Sequence, residues 1–128
     1  MSRGKVLVVD DSPIVLAVCR ERLEDAGYDV SVRESALGTS AAVMRERPDV
    51  ILMDVDLPGL SGDQIAGLLR RNETLEGVPV VILHSSLSAT VLGKLAEQCG
   101  AAGFIQKTDD DGLFIAQFAQ IHMRALGR

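Results

Sequence analysis

Short apolar runs alternate along this chain with longer stretches in which apolar side chains recur at helical spacing. The first run, Lys5-Val6-Leu7-Val8-Val9, is too short for a helix and rich in β-branched residues, so it predicts a strand ending at Asp10. Ser12-Pro13 reads as an N-cap followed by proline at the first helical position, where a missing N–H costs nothing. The helix that follows places Leu16, Cys19, Leu23 and Ala26 on its inner face, with Gly27 as a left-handed stop. Tyr28 to Val32 alternates apolar and polar, which predicts a strand with one wet face near a sheet edge. Ser35 is read as the cap of a second helix with Leu37, Ala41 and Met44 turned inward and Pro48 at its end. Asp49 to Asp54 and Pro79 to Leu83 have continuous apolar interiors, as strands buried on both faces do. Between them, Pro58-Gly59 and Gly62 mark a loop, Ile65, Leu68 and Leu69 a third helix, and Gly77 a break. Leu92, Leu95, Ala96 and Cys99 define a fourth helix stopped by Gly100, and Gly103-Phe104-Ile105 a fifth strand. Phe114, Phe118, Ile121 and Ala125 define the last helix.

Five βα units in strict alternation imply an α/β, doubly wound, flavodoxin-like fold with helices on both faces of a parallel sheet. The order 2-1-3-4-5 puts the alternating second strand at an edge and the apolar first, third and fourth strands inside. The carboxyl ends of strands one and three then flank the topological switch point, where open α/β sheets bind ligands. Composition narrows the function classes. The 128 residues are enough for one domain with a proper core, and 18 acidic against 13 basic side chains, a formal charge of −5, give no clustered positive surface for nucleic acid. No apolar stretch approaches the length of a membrane span, and Met1-Ser2-Arg3-Gly4 leads into no signal-peptide core. Cys19 and Cys99 lack metal-ligand spacing and read as reduced thiols of a cytoplasmic protein.

Strand one ends in Asp10-Asp11 and strand three in Asp54, so three carboxylates far apart in sequence converge on one crevice. Helix capping explains one of them. Crowded carboxylates repel one another unless a cation holds them together, and oxygen-only ligands suit a hard ion, Mg²⁺ or alternatively Mn²⁺. Strand four ends in His84-Ser85-Ser86, and Lys107 follows strand five, placing a hydroxyl and an ammonium on the same rim. A carboxylate nucleophile, a metal, a hydroxyl and a lysine together suit phosphoryl transfer.

Val8-Val9-Asp10-Asp11-Ser12, Asp49-Val50-Ile51-Leu52-Met53-Asp54, Leu57-Pro58-Gly59-Leu60-Ser61-Gly62 and Gly100-Ala101-Ala102-Gly103-Phe104-Ile105-Gln106-Lys107 occur in this order. In that order and spacing the chain resembles a response-regulator receiver domain of two-component signalling, over essentially residues 1–128, with no output domain expected. The resemblance implies that Asp54 is the phospho-acceptor, Asp11 a direct Mg²⁺ ligand, Asp10 a ligand largely through water, and Asp56 a ligand through its backbone carbonyl. It implies that Lys107 contacts the phosphoryl group and that the hydroxyl ending strand four swings toward it. The function implied is a phosphorelay switch that catalyses only its own phosphorylation and slow dephosphorylation. Its implied partners are a sensor histidine kinase or phosphotransfer protein, and an effector, output domain or second copy at the face of the fourth helix, fifth strand and last helix. Leu87, Leu92, Phe104 and Asp109-Asp110-Asp111 are candidates for that face.

Several positions depart from the family pattern. Counting from Pro79 reaches His84 at the hydroxyl position, whereas counting back from Lys107 reaches Ser85, the assignment preferred here. Phe104 stands where a tyrosine is common, leaving only ring packing to act as a switch. Thr108 follows Lys107 in place of the usual proline, which removes a restraint on the loop. Asp56, two residues past the acceptor, reads either as a solvated loop acid or as a tuner of self-dephosphorylation. His84 and His122 are not expected to carry phosphate, and His122 reads as a satisfied or surface histidine. These departures motivate an alternative, a phosphorylation-independent pseudo-receiver interaction module. A third reading, an aspartate-nucleophile phosphatase using Asp54 and Asp56, expects its paired aspartates after the first strand instead. A flavin-binding module on this fold would need a phosphate cradle in the first loop, where this chain has acids.

Overall fold

The computed structural model describes residues 2–35, 37–57, 64 and 80–127. Five parallel strands, β1 (Lys5–Val9), β2 (Asp29–Arg33), β3 (Val50–Asp54), β4 (Val80–Ser85) and β5 (Gly103–Gln106), form one sheet in the order β2-β1-β3-β4-β5. Four described helices accompany it: α1 (Pro13–Asp25), α2 (Thr39–Glu46), α3 (Ala89–Cys99) and α4 (Asp111–Leu126). The helix expected around Ile65, Leu68 and Leu69, and the Pro58, Gly59, Gly62, Gly77 and Pro79 positions, lie outside the described residues.

Strand alternation sorts the core into two layers. Val6, Val8, Val50, Leu52, Ile82 and Ile105 face Leu16, Cys19 and Leu23 of α1 and Phe114, Phe118 and Ile121 of α4. Leu7, Val9, Ile51, Met53, Val81 and Leu83 face Ala42 and Val43 of α2 and Leu92 and Ala96 of α3. β3 is buried throughout, which its unbroken apolar run required, and β2 lies at the edge with only partial burial. Ser12 caps α1 by accepting the Val15 N–H at 3.3 Å, with Pro13 opening the helix as expected.

The structure corrects three expectations. α2 begins at Thr39 behind Gly38, whose φ of +81° no β-carbon tolerates easily, and the Ser35 hydroxyl instead accepts from Leu37 N–H in the preceding turn. The inner positions are therefore Thr39, Ala42 and Val43, whereas Leu37 is 85% exposed, Met44 is 53% exposed and Ala41 faces solvent. β4 continues past Leu83 to include His84 and Ser85, because His84 still pairs with Asp54 of β3 and Ser85 with Gln106 of β5, which buries both polar side chains at the sheet's end. β2 runs one residue later than the alternation suggested.

Candidate functional site

The register of the parallel strands brings the chemistry together. Val9 of β1 pairs with Met53 of β3, so the residues that follow, Asp10 and Asp54, leave adjacent strands at one level. Both continue the alternation toward the α1/α4 layer, and so does Lys107 after Ile105 of β5. Asp10 and Asp54 are 1% and 3% exposed, while Asp11 in the turn before α1 is open to solvent. Carboxylate oxygens of Asp10, Asp11 and Asp54 all lie within 4.8 Å of one another.

Lys107 Nζ reaches Asp10 Oδ2 at 3.1 Å and Asp54 Oδ1 at 3.6 Å. Backbone amides add to this: Ser12 N–H donates to the other Asp10 oxygen, Oδ1, at 2.9 Å, and Asp56 N–H donates to the same Asp54 Oδ1 at 3.3 Å. Burial pushes the Asp54 carboxyl above its ordinary pKa and Asp10 adds to this, outweighing the opposing pull of Lys107. Burial alone would lower the Lys107 ammonium, but its contacts with Asp10 and Asp54 win and raise it. Both shifts are upward, yet they act oppositely on charge, favouring the charged lysine and the neutral Asp54 carboxyl. Among the described residues one ammonium, paired with Asp10 and Asp54, stands against a cluster of three carboxylates, so the lysine is fully compensated and the acids are not.

That deficit bears on a metal. The donor set is oxygen only, the site is short of positive charge, and buried Asp10 Oδ2 has no aligned hydrogen-bond donor despite its ion pair. These features fit a hard divalent cation, for which Asp10, Asp11 and Asp54 supply ligand oxygens.

Ser85 and His84 emerge on opposite faces of β4. His84 pairs across from Asp54 and points into the α1/α4 layer, where its ring meets Phe114 edge-on with centroids 5.7 Å apart. Burial lowers its pKa to about 3, helped by the Lys107 and Arg22 charges, so the ring is neutral, and its Nε2 has no hydrogen-bond partner among the described residues. Ser85 belongs to the α2/α3 side, 1% exposed, with Oγ accepting from Leu87 N–H at 3.1 Å and its carbonyl accepting from Lys107 N–H at 2.9 Å. Phe104 packs half-buried against that same side. Asp56 presents its side chain to solvent. His122 lies elsewhere, buried beside Tyr28 with Tyr28 Oη 3.5 Å from Nδ1. Of the candidates for an output face, Leu92 is wholly buried core, Leu87 is half-buried, and Asp109, Asp110 and Asp111 are exposed.

Sequence reasoning missed Arg22. It is 9% exposed between α1 and the loop that carries Lys107, and its position three residues after Cys19 and beside Leu23 on the inner stripe of α1 was the available signal.

A family model described as response regulator receiver domain matches residues 6–118. Protein PilH of Pseudomonas aeruginosa is 33% identical over 110 residues, covering 84% of this chain and 88% of PilH. The DNA-binding dual master transcriptional regulator RpaA of Synechocystis sp. is 31% identical over 106 residues, covering 83% of this chain and 41% of RpaA. The chain thus spans less than half of that relative's length. Among solved structures, the BeF3-activated N-terminal receiver domain of Klebsiella pneumoniae RstA aligns with a TM-score of 0.81 at 27% identity, over 92% of this chain and 97% of that one.

Proposed function

Because this chain belongs to the response-regulator receiver family, we propose that it is a phosphorylation-dependent switch that takes a phosphoryl group onto Asp54. The donor in this reading is the phosphohistidine of a sensor kinase or phosphotransfer protein. The observation that carries the reading is the three-carboxylate cluster, with Asp10 and Asp54 buried and one ammonium beside it among the described residues. A fold kept only as an interaction surface has no physical reason to hold such a charge imbalance, since uncompensated buried charge costs stability.

An Asp54 carboxylate oxygen forms the new O–P bond as the donor's P–N bond breaks, and the imidazole departs with a proton taken from solvent. Lys107, kept charged by its acidic neighbours, lies where it can pair with a phosphoryl oxygen. Asp10, Asp11 and Asp54, with the Asp56 carbonyl, would hold Mg²⁺ or Mn²⁺, which supplies positive charge beside the phosphoryl oxygens. The Ser85 hydroxyl, now occupied by Leu87 N–H, is the group that would turn to the phosphorylated side chain, with Phe104 repacking next to it. The surface altered is that of α3, β5 and α4, facing an effector, an output domain or a second copy.

Intact mass after incubation with acetyl phosphate tests the reading directly. One added phosphoryl group is expected, dependent on Mg²⁺ and lost in Asp54→Ala. A folded, Mg²⁺-binding protein that gains no mass and releases no phosphate over time would instead be a pseudo-receiver module. Steady turnover of small phosphoesters would point to a phosphatase.

A further inference from the structure

The loop from Lys107 to Asp110 joins β5 to α4: Lys107 N–H donates to the Ser85 carbonyl at its start, Asp110 caps α4 at its end by accepting from Leu113 N–H at 2.9 Å, and within it Asp110 N–H donates to Thr108 Oγ1 at 3.1 Å. Thr108 leaves this segment free of the φ restraint a proline would impose. Arg22 takes hold of it from α1, the helix that follows the Asp10-Asp11 turn. Its Nη2 donates to the Thr108 carbonyl at 2.8 Å, its Nε donates to Asp111 Oδ1 at 2.6 Å, and its Cζ lies 5.1 Å from the Phe114 ring centroid. The guanidinium is thus fixed by a carboxylate and an aromatic face, and spends its remaining arm on the backbone carbonyl next to Lys107.

We propose that Arg22 is a positioning residue for Lys107: it fixes the backbone at Thr108 so that the neighbouring ammonium stays against Asp10 and Asp54. The lysine stem is flexible and the side chain as a whole is 26% exposed, so the ion pairs alone leave it substantial rotational freedom. A fixed origin for the side chain shortens the region its tip can sample. The consequence for phosphoryl transfer rests on the receiver reading above; the placement of the lysine does not.

The two are separable by experiment. ¹³C relaxation of the Lys107 Cε methylene in metal-free protein reports the placement, with exposed Lys94 as the mobile reference. Lys107 is expected to be restricted in the parent and as mobile as Lys94 in Arg22→Met, which keeps an unbranched stem over Phe114. Arg22→Lys keeps charge and stem but cannot reach both partners, and gives the same result if Arg22→Met fails to fold. Thr108→Pro in the Arg22→Met background should restore the restriction, because the Thr108 N–H donates no hydrogen bond among the described residues and proline limits both itself and Lys107. At saturating Mg²⁺ the acetyl phosphate reaction should slow roughly tenfold or more in Arg22→Met. No further loss is expected when Lys107 is already alanine. Equal Lys107 order in parent and Arg22→Met, or losses that multiply in the double variant, would overturn the proposal. A parent that gains no phosphoryl group and releases no phosphate overturns the receiver reading instead, and the relaxation result still decides the role of Arg22.

Discussion

The two layers that cover the sheet are made of different material. On the α1/α4 side, Tyr28 meets Phe118 edge-on at 5.1 Å and Phe118 stacks near Phe114 at 6.3 Å, with Arg22, His84 and His122 buried among them. On the α2/α3 side the fully buried described residues include no aromatic ring, Phe104 packing only half-buried against them, and the described helices are 8 and 11 residues long against 13 and 16. Rings and hydrogen-bonded cations have preferred geometries, whereas aliphatic contacts slide at little cost. The groups that must stay fixed, Asp10, Asp54 and Lys107, leave the sheet on the directional side. Ser85 and Phe104, the groups proposed to move, sit on the other. In the proposed switch, one face would hold the charges still and the other would respond.

The sharpest way to break this contrast is Phe114→Ala, which removes the ring shared by Arg22 and His84. A loss of about 3–5 kcal/mol in urea unfolding is expected, together with a slower phosphorylation rate. A loss no larger than that of a small aliphatic truncation would mean the aromatic layer has no special hold.

Acid should act through His84. Its folded pKa of about 3 lies below the ordinary 6.5, so between those values the unfolded chain binds a proton that the folded one does not. Stability therefore rises with pH across that window. Going from pH 7 to pH 5 should cost about 2 kcal/mol, and His84→Leu should flatten the curve. Asp54 works in the opposite sense: its raised folded pKa means that stability falls as pH rises from the unfolded carboxylate value through the folded one. The His84 slope is therefore best read above that range, comparing His84→Leu with the parent.

The smallest effects lie at the helix starts. Ser12→Ala should cost about 1 kcal/mol at the capped end of α1. α2, which has no side-chain cap, should exchange its amide hydrogens faster than α1. Equal protection of the two helices would blunt the comparison.

The strand order and the convergence of Asp10, Asp54 and Lys107 were legible because they depend on apolar runs and parallel register, both written locally. The phase of α2 was not. An eight-residue helix has barely two turns to define a stripe, and a left-handed glycine start leaves no capping signature. Arg22 was illegible for another reason. An arginine reads as solvent-facing until Thr108, Asp111 and Phe114 arrive from the far end of the chain to bury it. His84 likewise owes its burial to Phe114. The choice between His84 and Ser85 turned on where β4 stops, and a strand that ends in polar residues hides its own boundary.

The order in which the site's parts occur along the chain bears on how the protein is made. All three acids are present once Asp54 has been synthesised, and the three strands β2, β1 and β3 can pair at that stage. Among the described residues, the only ammonium at the cluster is Lys107, which follows β5 and is made after β4 has been added. A ribosome-bound intermediate would therefore gather mutually repelling carboxylates with nothing to offset them, and divalent cations in the medium should hasten the closing steps of its folding.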